Sequence, residues 1–315
     1  MSTFTLVIHG GAGTIVKDDS NPQLEKAYKD GLHEVLDAGY AVLEKGGSAV
    51  DAVRAAVVLL EDNVLFNAGR GSVFSKKGVQ EMDAAIMDGA TLSAGAIAAV
   101  RNIRNPIELA WQVMENSDHV LLCGDGVLEF ALKQGVKLEP DEYFFSQFRY
   151  DQWKKIRDTD ASALDHGDPG LERLLRNKKF GTVGAVACDV HGNVAAATST
   201  GGMTNKKFGR IGDSPIIGCG NYANNKTCAI SCTGHGEAFI KAVAAYDVSC
   251  LMEYKGKTLQ QAIDIVVHEK LKAIDGEGGI IGVDAQGNGA MAFNSEGMYR
   301  GIRNNKGLKI IGIYK

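Results

Sequence analysis

The sequence predicts an α+β fold in which antiparallel sheets are covered by helices. Three observations carry that expectation. Strand-like and helix-like segments come in blocks and not in βαβ alternation, which argues for stacked sheets with helices outside and against a doubly wound nucleotide-binding fold. Two strand–turn–strand units, "TVGAVACDVHGNVAAATST" and "IIGVDAQGNGAMAFN", share one design, with His191-Gly192-Asn193 and Gln286-Gly287-Asn288 at the turns. Thirty-nine glycines against five prolines cluster at the ends of apolar runs, from Gly10–Gly13 to Gly276–Gly279. Glycine at a strand end lets backbone approach backbone or a ligand closely, so several such ends suggest a backbone-lined site.

The elements follow in order. "FTLVIHGGAG" reads as a strand entering a tight glycine turn. "NPQLEKAYKDGLHEVLDAGYAVLEKG" has helical spacing at Leu24, Ala27, Leu32, Val35, Leu36 and Val42. "SAVDAVRAAVVLLEDN" is a second helix with Ser48 as N-cap. "VQEMDAAIMDG" and "LSAGAIAAV" pair as strands, and "NPIELAWQVMEN" and "DGVLEFALKQG" are helices. From Phe144 to Lys179 the chain turns charged and rich in Asp, Gly and Ser, reading as a helix that runs into a mobile linker at about 158–181. Strands resume after Phe180. "PIIGCGNYANNKTCAISCTG" adds more, and "EAFIKAVAAYDVSCLMEY" and "TLQQAIDIVVHEKLKAI" are two further helices.

Composition narrows the function classes. The 315 residues carry a formal charge of −4, which lacks the basic footprint of a nucleic-acid binder. No apolar run approaches the ~18 residues of a membrane span. Met1 leads straight into a strand with no charged and apolar leader, so no signal peptide is read and the cytosol is expected. Six scattered cysteines form no C-x-x-C pair and read as reduced, mostly buried hydrophobes. "VIHGGAGT" could be a phosphate loop, but it lacks the lysine of G-x-x-x-x-G-K-[ST] and any G-x-G-x-x-G.

The chemistry centres on Gly181-Thr182, where the polar linker meets a strand. One reading of Thr182 is ordinary, a β-branched residue opening a strand. The other is a nucleophile created when the chain is cut in front of it. A free threonine hydroxyl is a poor nucleophile, but a threonine at a chain N-terminus carries its own base, an α-amine titrating near ~7.7–8.0. Attack of the Thr182 hydroxyl on the Gly181 carbonyl would give an ester that water then resolves, and glycine tolerates the geometry this demands. "TSTGGMTNKKFGRIGDSP" places Thr200, Arg210 and Asp213 on a glycine-rich loop. Arg210 and Asp213 are either a surface ion pair or a clamp on a zwitterion, Arg210 on a carboxylate and Asp213 on an ammonium. "SCTGHGE" puts Thr233 and Gly234 before a helix, as an oxyanion hole or as a capped glycine turn.

Together these segments resemble the plant-type isoaspartyl peptidase/L-asparaginase branch of the N-terminal nucleophile (Ntn) hydrolases. The resemblance covers nearly the whole chain, through "HGGAG", "LFNAGRGSVF", "MDAAIMDG", "GTVGAVA", "TSTGGMTNK", "GRIGDSP", "SCTGHGE" and "FNSEGMYR". It implies one Ntn-hydrolase domain over 1–315, a four-layer αββα sandwich, cut into an α subunit of 1–181 and a β subunit of 182–315. It implies that Thr182 is the nucleophile and that Thr200 orients it. Thr233 and the Gly234 amide form the oxyanion hole, and Asn67 faces the nucleophile. Arg210 and Asp213 clamp substrate beside Gly234 and Gly236. The resemblance further implies a structural sodium ion on the main-chain carbonyls of Leu60, Glu61, Asn63, Phe66, Ala68 and Arg70, and no organic cofactor. Carbonyl ligands need no particular side chain, so Arg70 is compatible with the site. His235 occupies a position that varies within the family and reads as a partly solvated turn residue. The implied substrates are L-asparagine and β-aspartyl dipeptides, and the implied assembly is an (αβ)2 pair, with neither nucleic acid nor membrane as partner. Rival readings are a glycosylasparaginase, typically secreted or lysosomal; a protein-cleaving threonine aspartase, which carries a long insertion; and a scaffold of this fold with a dead site.

Overall fold

The computed structural model describes residues 3–15, 21–158 and 181–315. The expected linker therefore lies outside the described residues, apart from its two ends. Chain order is β1 (Thr5–Gly13), α1 (Pro22–Glu44), α2 (Ala49–Asp62), β2 (Met82–Asp88), β3 (Ala94–Val100), α3 (Pro106–Asn116), β4 (Leu121–Cys123), α4 (Asp125–Lys133) and α5 (Gln147–Ile156). Beyond the linker come β5 (Val183–Cys188), β6 (Val194–Thr200), β7 (Asn221–Ala223), β8 (Cys228–Gly234), α6 (Gly236–Ala242), α7 (Ala244–Lys255), α8 (Leu259–Ile265), β9 (Gly278–Asp284), β10 (Gly289–Phe293), β11 (Gly297–Asn304) and β12 (Lys309–Tyr314). The chain is thus mixed α and β, as expected.

Local chemistry explains the element ends. Asn21 caps α1 by accepting from the Leu24 amide at 3.1 Å, with Pro22 at the first turn where its missing N–H costs nothing. Ser48 caps α2 by accepting from the Asp51 amide at 3.1 Å. The two similar hairpins are closed alike. Asp189 Oδ1 accepts from the His191 and Asn193 amides, and Asp284 Oδ1 accepts from the Gln286 and Asn288 amides.

Two sheets result. One has eight strands in the order β12-β11-β1-β5-β6-β2-β3-β4, antiparallel except for β3 with β4. The other has four antiparallel strands, β10-β9-β8-β7. Three apolar clusters hold them. Val7, Val186 and Ala196 of the larger sheet pack with Ala229, Ile281 and Val283 of the smaller. Leu6, Ile8, Ala185 and Ala197 pack with α1, α2 and α3. Ile230 and Ile280 pack with Phe239, Val248 and Ile263 of α6, α7 and α8. Strand β1 is buried along its whole length, with Leu6 and Ile8 toward the helices and Val7 toward the second sheet. A strand buried on both faces shows no polar alternation, which is why "TLVIHGGAG" reads as one apolar run.

Two helical expectations need correction. The segment expected as one helix from Glu237 to Tyr254 breaks at Val243, whose φ of 49° is left-handed. The break places the Ala245 and Tyr246 amides on the Cys219 and Gly218 carbonyls at 3.2 and 2.8 Å. Tertiary hydrogen bonds thus replace the helical ones that a continuous helix would make. The last expected helix keeps its regular form only to Ile265, then widens into a π-turn over Val266–Leu271. Asn294 occupies that widening, donating to the Val267 carbonyl at 3.2 Å and the Gly276 carbonyl at 2.8 Å.

Candidate active site

Thr182 sits one residue ahead of β5 and Thr200 ends β6, and these strands are antiparallel neighbours with Val183 opposite Ser199. That register brings the two threonines together. The Thr182 hydroxyl donates to Thr200 Oγ1 at 3.2 Å, and Thr200 donates its own proton to the Gly181 carbonyl at 2.9 Å. Asn67 Nδ2 donates to the same Gly181 carbonyl at 2.7 Å and to the Gly202 carbonyl at 2.8 Å. Its Oδ1 accepts from the Val73 amide at 3.0 Å, so the side chain is locked at both ends. The carbonyl in front of Thr182 therefore receives two hydrogen bonds, which polarise it toward nucleophilic attack.

Gly181 is needed here for closeness. A Cβ at this position would lie 2.5 Å from Asn67 Cβ, closer than real carbon contacts come.

A small cleft opens beside this junction, lined by Gly181, Thr182, Thr200, Arg210, Asp213 and Gly234 among the expected residues. Gly202, Met203, Gly212 and Ser214 line it as well. Thr233, Asn67 and Gly236 are not among the lining residues, though each contacts or adjoins one of them. The Thr233 hydroxyl accepts from the Ala12 amide at 3.2 Å, which leaves its own proton to donate. Gly234 and Gly278 face each other across β8 and β9 with φ of 151° and 158°. A Cβ on Gly234 would meet the Gly278 Cα at 2.6 Å, so the backbone there has one arrangement.

The two candidate clamp residues differ in state. Asp213 is buried, and its Oδ2 has no hydrogen-bond partner. Burial pushes its carboxyl up to about 7, against the pull of its own backbone amide and of Arg210. Such a carboxylate is poised for a cation. Arg210 is instead engaged by Glu237, through Nε at 2.8 Å and Nη2 at 2.9 Å. This bidentate pair occupies one edge of the guanidinium and leaves the Nη1 donors for another anion. Burial tends to raise Glu237, but the hydrogen bond and charge of Arg210 outweigh it and hold the carboxylate below its usual range. His235 Nε2 lies 3.3 Å from the same carboxylate. The surface pairing of Arg210 with Asp213 is thus replaced by Arg210 with Glu237. Gly236 touches both clamp residues, since a Cβ there would lie 2.7 Å from Arg210 Nη2 and 3.0 Å from Asp213 Oδ1.

The last turn of α2 and the loop after it hold the expected cation ligands, Leu60 and Glu61 in the helix and Asn63, Phe66, Ala68 and Arg70 beyond it. The Asn63, Phe66 and Ala68 carbonyls each accept one turn amide, leaving a second lone pair on each oxygen. Arg149 donates to the Gly71 and Leu65 carbonyls at 2.9 and 3.3 Å, neither of which is in the expected set. Glu61 is fully buried, its Oε2 has no hydrogen-bond partner, and burial raises its carboxyl to about 8. Carbonyl oxygens with spare lone pairs suit a hard cation. No group of three His, Cys, Asp or Glu side chains among the described residues could hold a metal.

The Asparaginase family profile matches residues 2–313. The chain belongs to the asparaginase family. It is 49% identical to the isoaspartyl peptidase of Salmonella typhimurium strain LT2 over 315 residues, covering all of both chains. It is 48% identical to that of Escherichia coli K12, covering all of this chain and 97% of the relative. The isoaspartyl peptidase/L-asparaginase of Homo sapiens is 42% identical over 298 residues, 95% of this chain and 92% of the relative. Membership makes the chain a hydrolase. No helix among the described residues is long and apolar enough to cross a membrane.

Several residues near the site escaped sequence reasoning although they lie inside quoted motifs. Lys206 is buried and donates to the Gly201 carbonyl at 3.1 Å and the Glu81 carbonyl at 2.6 Å, bracing the turn after Thr200. Asn294 accepts from the Gly278 amide at 2.8 Å and so braces the strand end facing Gly234. His9 contacts the Thr182 carbonyl. For His9 the signal was a polar residue ending the apolar run "TLVI"; Lys206 and Asn294 lie in polar motifs that offer none.

Proposed function

We propose that this chain is a self-cleaving threonine amidohydrolase with the four-layer αββα arrangement of the Ntn hydrolases. In this reading it hydrolyses L-asparagine to L-aspartate and ammonia, and it cleaves β-aspartyl dipeptides. The observation that carries the reading is the Thr182–Thr200–Gly181 chain of hydrogen bonds, with Asn67 as second donor on the Gly181 carbonyl. The three apolar clusters support the layering, and the relatives' names support the substrates.

The precursor step follows from these contacts. Thr182 Oγ1 attacks the Gly181 carbonyl carbon while its proton passes to Thr200, and Thr200 returns a proton to the carbonyl oxygen. Asn67 holds that oxygen as negative charge develops. The C=O then re-forms as the C–N bond breaks, the proton on the carbonyl oxygen passing to the Thr182 nitrogen, which leaves as an amine, and water resolves the ester. The product is a chain beginning at Thr182, whose amine is the base for its own hydroxyl.

Turnover reuses the same nucleophile. Arg210 takes the substrate α-carboxylate on its free edge, and the open Asp213 oxygen takes the α-ammonium. Thr182 attacks the side-chain carbonyl, with the oxyanion held by the Thr233 hydroxyl and the Gly234 amide. Ammonia or an amino acid leaves, and water releases aspartate. A sodium ion on the Leu60, Glu61, Asn63, Phe66, Ala68 and Arg70 carbonyls would brace the loop carrying Asn67. An (αβ)2 pair in the cytoplasm completes the reading.

The test is a denaturing gel and intact mass of purified protein, with N-terminal sequencing and an ammonia assay. Wild type should give two fragments, the second beginning at Thr182. Thr182→Ala should remain whole and inactive. Cutting of Thr182→Ala, or full activity in uncut protein, refutes the mechanism.

A further inference from the structure

We propose that His9 is a positioning residue for Thr182, the last donor of a one-way hydrogen-bond relay that runs between the two sheets and fixes the nucleophile's own carbonyl. The proposal rests on the reading of Thr182 as nucleophile.

His9 is fully buried in β1, just before the irregularity in register between His9 and Gly11. Bulges of this kind re-aim side chains beside functional sites. Its Nδ1 lies 3.0 Å from the Thr182 carbonyl oxygen. A carbonyl only accepts, so Nδ1 carries the proton. In a neutral ring Nε2 is then an acceptor, and it takes the Ser231 hydroxyl proton at 2.9 Å. With that proton committed, the 2.7 Å contact between Ser231 and Thr198 is a hydrogen bond only with Thr198 as donor, which gives it the Thr198 proton in preference to the longer 3.3 Å contact with the Gly220 carbonyl. Thr198 in turn accepts from Asn221 Nδ2 at 3.1 Å. Every donor therefore points the same way, from Asn221 through Thr198, Ser231 and His9 to Thr182.

The relay has a consequence for the chemistry. His9 and Thr198 belong to the eight-stranded sheet, which Thr182 leads into at β5, and Asn221 and Ser231 belong to the four-stranded one. Ser231 is two residues before Thr233 on β8, the strand that carries both candidate oxyanion donors. The relay thus ties the nucleophile on one sheet to the oxyanion hole on the other and sets their separation. Chains of hydrogen bonds polarise one another, which stiffens such a link.

Two further facts fit a positional role. Burial pushes the imidazole down to about 3, against the pull of the Thr182 contact, so the ring stays neutral and does not trade protons at working pH. Gly184, in the "GTVGAVA" motif, keeps the space open. A Cβ there would lie 2.1 Å from Ser231 Oγ and 2.5 Å from His9 Nε2. One relay therefore accounts for the histidine of "HGGAG" and the second glycine of "GTVGAVA".

The test separates the two ring nitrogens. In His9→Asn the amide nitrogen takes the place of Nδ1 and keeps the donor to Thr182. In His9→Gln the terminal amide takes the place of Nε2, keeps Ser231 and abandons Thr182. His9→Ala loses both. Leaving a buried carbonyl unpaired, or moving a nucleophile by about 1 Å, costs about ten- to a hundredfold in rate. We expect that loss in self-cleavage and in kcat of the cut enzyme for His9→Gln and His9→Ala, with KM for asparagine within about twofold of wild type. His9→Asn should recover most of what His9→Ala loses. Equal losses in all three variants, or wild-type kcat in His9→Gln, would overturn the proposal. Should these variants fail to fold, long-range 15N–1H spectra of wild type at neutral pH decide the tautomer: a proton on Nδ1 supports the relay and one on Nε2 overturns it. Thr182→Ala run alongside keeps the readings apart, because cutting or turnover in that variant removes the nucleophile whatever His9 does.

Discussion

Gly181→Ala is the sharpest way to separate self-cleavage from turnover. The new Cβ would sit 2.5 Å from Asn67 Cβ. Carbon atoms in contact sit at about 3.5–4.0 Å, so the two segments must part by about 1 Å. The Asn67–Gly181 hydrogen bond of 2.7 Å does not survive that displacement. Loss of one preorganised oxyanion donor costs about a hundred- to a thousandfold, or about 3–4 kcal/mol of barrier. The Thr200 donor to the same carbonyl remains, so cutting should slow by that factor and not stop. The chain that results is unchanged, because it begins at Thr182 in both proteins. Turnover per cut chain should therefore match wild type. The assay follows fragment formation by gel and intact mass over time and measures ammonia release on the same samples. Cutting at the wild-type rate would refute the argument from crowding. Slow turnover in fully cut protein would show that residue 181 acts after the cut.

The state of Asp213 predicts a pH dependence. With the free carboxyl near 7, an ammonium binds only after that proton leaves. Inhibition by L-aspartate should weaken about tenfold per unit as pH falls from about 7 to about 5, and Asp213→Asn should abolish this limb. An inhibition constant that is flat over the range would remove Asp213 from the ammonium site. Val243→Asn concerns stability alone. A β-branched residue at φ 49° carries left-handed strain that asparagine tolerates better, so stability to urea should rise by about 0.5–1 kcal/mol. A lower midpoint would mean that the packing of Val243 outweighs its strain.

The sequence by itself determined those features whose causes lie within a few residues. Ser48 and Asn21 start helices through amides three residues on, and the aspartate-closed hairpins need only their own turns. The Gly181-Thr182 junction could be proposed for the same reason, since the proposed nucleophile and the bond it would cut are adjacent in the chain. Tertiary structure decided whatever depends on partners far away. Strand β1 pairs with β5 and β11, about 180 and 290 residues on, and no local pattern selects between such partners. Arg210 lies three residues from Asp213 in sequence, yet it pairs with Glu237 and leaves an Asp213 oxygen open, because only the folded loop brings Glu237 to its Nε edge. Helix breaking at Val243 has no glycine or proline to announce it, and it arises from carbonyls at Gly218 and Cys219 waiting for amides. His9 shows the limit most plainly. Its residue type was visible in "HGGAG", but its tautomer and its task are set by Thr182 and Ser231, 173 and 222 residues away. A hydrogen bond's meaning depends on which group faces it, and chain folding alone supplies that group.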